Sequence, residues 1–308
     1  MTDLTGTAER ALRRLDLSVR LRLDGLLQGD HAGLRPGPGG EPDSARPYLP
    51  GQDDVRRIDP SVSARTGELH VRTAVADHEL ETWVLVDASA SMDFGTAVME
   101  KRDLAVAVVA AVAALTDGPG NRVGAATLTG AGLATHRPRT GRLARHGLLR
   151  VLLAAPRPEP GPGAVADLGA GVERLRRERR RPGLRVVVSD FLDERGPAAW
   201  EQPMRRLAAR HDVVAIEVTD PREAELPDVG LVTLLDPESG RRREVRTTRA
   251  LRERYRTAAL EHRAATAAAL RRAGVAHLVL ATDGDWITDI ARFVAARRRT
   301  GRRTGGHR

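Results

Sequence analysis

Apolar positions along the chain follow two different rhythms, and the change between them divides the sequence. Leu12, Leu15, Val19, Leu23 and Leu26 recur at steps of three and four, which predicts one amphipathic helix over residues 8–28, closed by Gly29. Residues 33–50 are rich in Gly and Pro without any period and are expected to be loop. A short alternation over residues 68–75 predicts a strand. From Thr82 the pattern changes. Trp83-Val84-Leu85-Val86 is a continuous apolar run, the mark of a strand buried on both faces. Helical patterns over residues 96–115, 142–154, 166–179, 198–210, 250–273 and 285–296 then alternate with strand patterns over 122–128, 184–189, 212–218 and 277–280, with a short strand at 231–235. Such alternation predicts an α/β fold with a mostly parallel sheet covered on both faces. Residues 82–296 are therefore read as one domain. Residues 1–81 hold a helix, a loop and a β segment with too little apolar content to fold alone, and are expected to pack on that domain. Residues 297–308 are expected to be a disordered tail.

Composition sharpens this picture mainly by exclusion. The 308 residues, 41% apolar and 30% charged, describe one large soluble globular unit. Among 50 basic residues Lys101 is the only lysine, and this preference for arginine alongside abundant alanine reads as the codon bias of a GC-rich genome. The net charge of +9 owes much to the last twelve residues, which hold six arginines and no acid. The arginines of residues 173–181 are interspersed with Glu173 and Glu178 and read as a solvated helix face. Without cysteine there is no disulfide framework, thiolate zinc site or cysteine nucleophile. The longest apolar run, residues 104–115, falls short of the ~20 residues a membrane crossing needs. No signal-peptide pattern opens the chain, so it is expected to be cytoplasmic. Few aromatics argue against single-strand nucleic-acid binding, which stacks bases on such rings; binding through the charge of the tail alone remains an alternative.

Ligands of an open α/β sheet sit at the carboxyl ends of its strands. There the sequence places Asp87-Ala88-Ser89-Ala90-Ser91 and, after a later strand, Asp190. Alternate residues of a turning strand end point the same way, so Asp87, Ser89 and Ser91 can converge with Asp190 into an all-oxygen set of the kind that hard cations such as Mg²⁺ prefer. The alternative is that Asp87 and Ser89 cap the following helix. Enzymatic motifs are missing: there is no P-loop, no G-x-S-x-G elbow and no paired histidines, and the glycines of residues 118–124 have the wrong spacing and context for a dinucleotide site. An aspartyl-nucleophile phosphatase would need a carboxylate where Ser89 stands. Asp283 and Asp285 read as helix caps, with Trp286 packed under the last helix. The chain is expected not to be an enzyme.

The run Val84-Leu-Val-Asp-Ala-Ser-Ala-Ser-Met92 resembles the metal-ion-dependent adhesion site (MIDAS) of von Willebrand factor A domains. The stretch Tyr48-Leu-Pro-Gly-Gln-Asp-Asp54-Val-Arg56-Arg-Ile-Asp59, with Ser63-Ala-Arg65-Thr-Gly-Glu-Leu-His-Val-Arg72, resembles the signature of the bacterial domain-of-unknown-function 58 family, and the likeness runs from the N-terminal helix to about Ala296. That resemblance implies a Rossmann-like, three-layer von Willebrand A-type fold. It also implies a Mg²⁺ or Mn²⁺ held by Asp87, Ser89, Ser91 and Asp190, with an open position that a partner's carboxylate completes. The family's second loop offers a Thr before an Asp-Leu pair. Here the place reads Ala166-Asp167-Leu168, one ligand fewer. Gln52 and Pro60 depart from the signature as well, standing where an acid and a Trp are usual. The implied function is a non-catalytic protein-interaction module, accessory to a MoxR-type AAA+ ATPase. Tyr48, Asp54, Arg56, Asp59 and Arg65 would then form either a partner-binding platform or packing support for the sheet. A metal-free scaffold of the same fold is the alternative.

Overall fold

The computed structural model describes residues 3–27, 45–50, 55, 58–72, 80–95, 98–118, 120–158, 166–178, 182–193, 195–235 and 240–305. A six-stranded sheet forms the middle layer. Its strands are β3 (Glu81–Asp87), β4 (Arg122–Thr129), β5 (Gly132–Arg139), β6 (Leu184–Ser189), β7 (Asp212–Thr219) and β10 (Ala276–Ala281), in the order β10-β7-β6-β3-β4-β5. All neighbours are parallel except the β4–β5 hairpin at one edge. Two small antiparallel pairs stand apart from this sheet: β1 (Ala45–Pro47) with β2 (His70–Arg72), and β8 (Leu231–Leu235) with β9 (Arg242–Arg246).

Strand side chains alternate between two cores. Val84 and Val86 of β3, Val186 and Val188 of β6, and Val214, Ile216 and Val218 of β7 face one. Trp83 and Leu85, Val187, and Val213 and Ala215 face the other. Helices α3 (Lys101–Leu115), α4 (Arg142–Leu153) and α8 (Trp286–Gly305) cover the first face; α5 (Leu168–Glu178), α6 (Glu201–Ala208) and α7 (Arg249–Arg272) cover the second. The result is the three-layer α/β architecture expected from the sequence. Because both sheet faces are covered, the central strands read as unbroken apolar runs.

Helix α3 is apolar nearly all round, and a helix of that kind must be covered on every side. The outer cover is α1 (Asp3–Leu26), which packs on α3, α4 and α8 and contributes Val19 and Leu23 to the core, joined by Leu27 just after it. Buried Asp16 of α1 lies 3.0 Å from His146 and 3.5 Å from Arg145, and Arg22 donates to Asp285 at 2.7 Å. Asp285 also accepts from the Thr288 hydroxyl at 2.8 Å at the start of α8, the capping role expected of it, and Trp286 is buried in the core.

Several elements differ from expectation. β5 was not foreseen, because an edge strand with one polar face carries residues such as Arg137 and Pro138 that a central strand excludes. The seven-residue α2 (Pro60–Thr66), capped by Asp59, and the arginine-rich β9 were also missed. α3 begins at Lys101 rather than near Thr96. Helix α8 continues to Gly305, well into the expected disordered tail. Arginine is a good helix former, and Arg297 is tied down there by an ion pair to Asp212 at 2.7 Å while stacking over Phe293.

Candidate functional site

From β3 the chain moves outward to β4 and β5, then returns to form β6 on the other side of β3. The switch point of the sheet therefore lies between the carboxyl ends of β3 and β6, where ligands of such sheets bind. Asp87 ends β3 and Asp190 follows β6, so the topology brings together the residues predicted from sequence.

All four are buried: Asp87, Ser89, Ser91 and Asp190. Asp87 accepts from the Ser89 backbone N–H at 2.9 Å through Oδ1 and from the Ser189 hydroxyl at 2.6 Å through Oδ2. The hydroxyls of Ser89 and Ser91 lie 3.1 Å apart, within hydrogen-bond reach. Asp87 thus orders its own turn, and neither it nor Ser89 caps α3, whose N-cap is Glu100. Directly after Asp190, Phe191 adopts a left-handed φ of 55°, a costly conformation for a bulky residue. It is held there by burial, by an edge-on contact with Trp200 (5.2 Å between centroids) and by its N–H, which donates to Ser189 Oγ at 3.0 Å. This turn bends the chain away from the strand while the Leu192 N–H donates to Asp190 Oδ1 at 3.1 Å.

Two further residues complete the cluster, and sequence reasoning did not place them there. Lys101, fully buried in the first turn of α3, donates through Nζ to Asp190 Oδ2 at 2.7 Å and to Glu223 Oε1. Glu223 belongs to a short 3₁₀ turn after β7, where a capping box with buried Asp220 fixes it. The turn after β3 leads into the loop before α3, and the Lys101 N–H closes that loop by donating to Phe94 O at 2.9 Å. A cation at a helix N-terminus opposes the helix dipole, so the two carboxylates must hold it there. Burial alone would lower the Lys101 pKa, but Asp190 and Glu223 outweigh it and keep the ammonium above the usual lysine range. Burial, then the charge of Asp190, pushes Asp87 up to about 6, against the lowering effect of its hydrogen bonds from Ser189 and Ser89. The one available sequence signal was the singularity of Lys101 in a chain that otherwise uses arginine.

Beside this cluster a cavity of about 160 Å³ opens between the sheet edge and α7, lined by Asp190, Leu192, Glu223, Tyr255, His262 and Arg263 among others. The edge also exposes apolar surface: Phe94, Val98 and Leu192 are 39%, 79% and 42% exposed.

The sequence profile of the family described as "Protein of unknown function DUF58" matches residues 44–265. The chain belongs to that family. Relatives of this DUF58 protein include "Uncharacterized protein Rv1480" of Mycobacterium tuberculosis, 53% identical over 94% of this chain and 89% of its own length. Another is "Uncharacterized protein MAV169" of Mycobacterium avium, 47% identical over 52% of this chain and 92% of its own length. Among solved structures, the chain is similar to the conserved hypothetical protein BatB from Bacteroides thetaiotaomicron (13% identity, TM-score 0.45, 71% of this chain and 99% of that one). It is also similar to the SpRpn10 VWA domain (14% identity, TM-score 0.38, 69% and 93%).

The likeness of residues 84–92 to a metal-ion-dependent adhesion site raises the question of a divalent ion, and the contacts of the residues present argue against a fit. All four carboxylate oxygens of Asp87 and Asp190 already accept from protein donors. At the second loop, Ala166 packs against the core, while Asp167 caps α5 by accepting from the Ala170 N–H at 2.8 Å. An ion bonded to Asp190 Oδ2 at the usual ~2.1 Å would lie at most about 5 Å from the ammonium, a repulsion on the order of 7 kcal/mol at an effective dielectric of about 20.

Of the residues read as a partner platform, Asp54 and Arg56 lie outside the described residues. Asp59 is buried and accepts from the N–H groups of Ser61 and Val62, so its carboxylate caps α2 instead of facing outward. Tyr48 is half-buried, its backbone N–H donating to Leu69 O at 2.7 Å, and Arg65 is exposed at the end of α2.

Proposed function

We propose that this DUF58 protein is a non-catalytic interaction module that receives a partner protein at the carboxyl edge of its sheet. The observation that carries this reading is the exposure of Leu192 at the cavity and of Phe94 and Val98 on the segment that follows β3, beside a cluster whose polar groups are spent on one another. Exposed apolar groups rimmed by polar ones are the usual mark of a protein contact. The Ser89 and Ser91 hydroxyls lie within hydrogen-bond reach of each other, and the Ser189 hydroxyl is committed to Asp87 from a buried position, which supports a structural over a nucleophilic role for these groups. The partner in this proposal is a MoxR-type AAA+ ATPase, supported by the family resemblance, and the meeting place is the cytoplasm. Among the described residues no helix is long and apolar enough to cross a membrane.

The test is binding of the full chain to a purified MoxR-type ATPase of the same organism, measured by surface plasmon resonance. Phe94→Asp and Leu192→Asp should each weaken binding at least roughly tenfold while leaving thermal stability nearly unchanged, since each places a charge in an apolar contact. Equal affinity for wild type and both variants would refute the placement of the interface, and no binding by wild type would refute the partner.

A further inference from the structure

We propose that Lys101 is the resident cation of this site, so that the sheet edge is held together and presented to its partner without a divalent metal ion. Three chain segments that leave the carboxyl ends of β3, β6 and β7 must be joined at this edge, and each delivers a carboxylate: Asp87, Asp190 and Glu223. Positive charge is needed to hold such a set together, and the fold supplies it from within. The Lys101 ammonium bridges the β6 and β7 segments, contacting Asp190 Oδ2 at 2.7 Å and Glu223 Oε1, with no exposed surface. The β3 segment is joined separately, by the Ser189 hydroxyl, which donates to Asp87.

The residue type fits the role. Every other basic position in this chain is arginine. A guanidinium is a planar fork that needs broad, flat partners, whereas an ammonium is a compact point charge with three donors and is the closer analogue of a bound ion. The remaining features agree. The second loop contributes a methyl group and no hydroxyl at Ala166, and the Asp190 carboxylate has no oxygen left without a donor. Recognition at this edge should therefore be indifferent to chelators, and a partner's carboxylate would have no open coordination position to fill.

This inference rests on the same edge as the interaction reading, but its test needs no partner, so either can fail without the other. The full-length protein is titrated with Mn²⁺ and free ion is followed by electron paramagnetic resonance, for wild type, Lys101→Gln and Lys101→Gln/Asp190→Asn. Wild type should take up no Mn²⁺ at millimolar concentration. Lys101→Gln should bind about one ion per chain at least roughly tenfold more tightly, once the repelling charge is gone, and the double variant should lose that binding. If Lys101→Gln folds only when Mn²⁺ is present, the result is equally supportive. Uptake by wild type that disappears in Asp87→Ala overturns the proposal. Silence in both wild type and a folded Lys101→Gln overturns it too, because the ammonium would then not be standing in for an ion. Should Lys101→Gln not fold in either condition, the wild-type titration decides.

Discussion

Replacing Lys101 by methionine keeps most of the side-chain volume and deletes only the charge and its hydrogen bonds. In the folded protein this leaves the carboxylates of Asp190, whose side chain is 2% exposed, and Glu223, whose side chain is 20% exposed, without their shared cation. Breaking one side of a buried ion pair costs about 3–5 kcal/mol, because the remaining charge stays desolvated. At roughly 2 °C per kcal/mol for a chain of this size, the expected fall in melting temperature is about 6–10 °C. Removing the whole set should be milder. In Lys101→Met/Asp190→Asn/Glu223→Gln no buried charge is stranded, so stability should return to within about 2 kcal/mol of wild type. Urea unfolding followed by tryptophan fluorescence suits the measurement, since Trp83, Trp200 and Trp286 are all buried. A Lys101→Met variant within about 1 kcal/mol of wild type would show that the ammonium does not hold these loops. A triple variant as unstable as the single one would show that the loss came from packing rather than from stranded charge.

Asp87 carries a pH prediction. Its pKa is raised from 3.8 to about 6 in the folded state, so between these values the folded chain binds the proton more tightly than the unfolded one. Stability contributed by this group therefore falls as pH rises from about 4 to about 6, by at most about 3 kcal/mol. Asp87→Asn should abolish that component and exceed wild type in stability at neutral pH; parallel stability–pH curves for the two proteins would refute the assignment. Gly169 lies in the first turn of α5, where a Cβ would lie 2.2 Å from the Ala199 carbonyl oxygen, so Gly169→Ala should cost about 1–3 kcal/mol in urea unfolding. A neutral effect would mean that α5 and the 196–199 turn are not in close contact. Leu23→Ala removes a side chain of α1 that is 2% exposed and packed in the core, and should cost about 2–5 kcal/mol. A loss below about 1 kcal/mol would show that α1 is not part of the same cooperative core.

The local sequence determined what depends on neighbours in the chain. The apolar run at 83–86 specified a strand buried on both faces, and the run at 184–189 another, because only a covered sheet tolerates such segments. Strand ends then marked Asp87, Ser89, Ser91 and Asp190, which the structure does gather. Edge and satellite elements were harder to read. β5 and β9 carry polar residues and little apolar periodicity, since only one of their faces, or neither, meets the core. The character of the site was beyond local reading altogether. Lys101 stands 89 residues from Asp190 and 122 from Glu223, and nothing nearby in sequence links the three. Their meeting depends on β6 returning beside β3, on the loop that seats α3 against the strand ends, and on the capping turn that fixes Glu223. From the motif alone the oxygens call for an external cation. Only the tertiary structure brings an ammonium to Asp190, one of those carboxylates, and to Glu223, because burial removes the water that would otherwise solvate these charges and leaves their pairing with Lys101 to offset them.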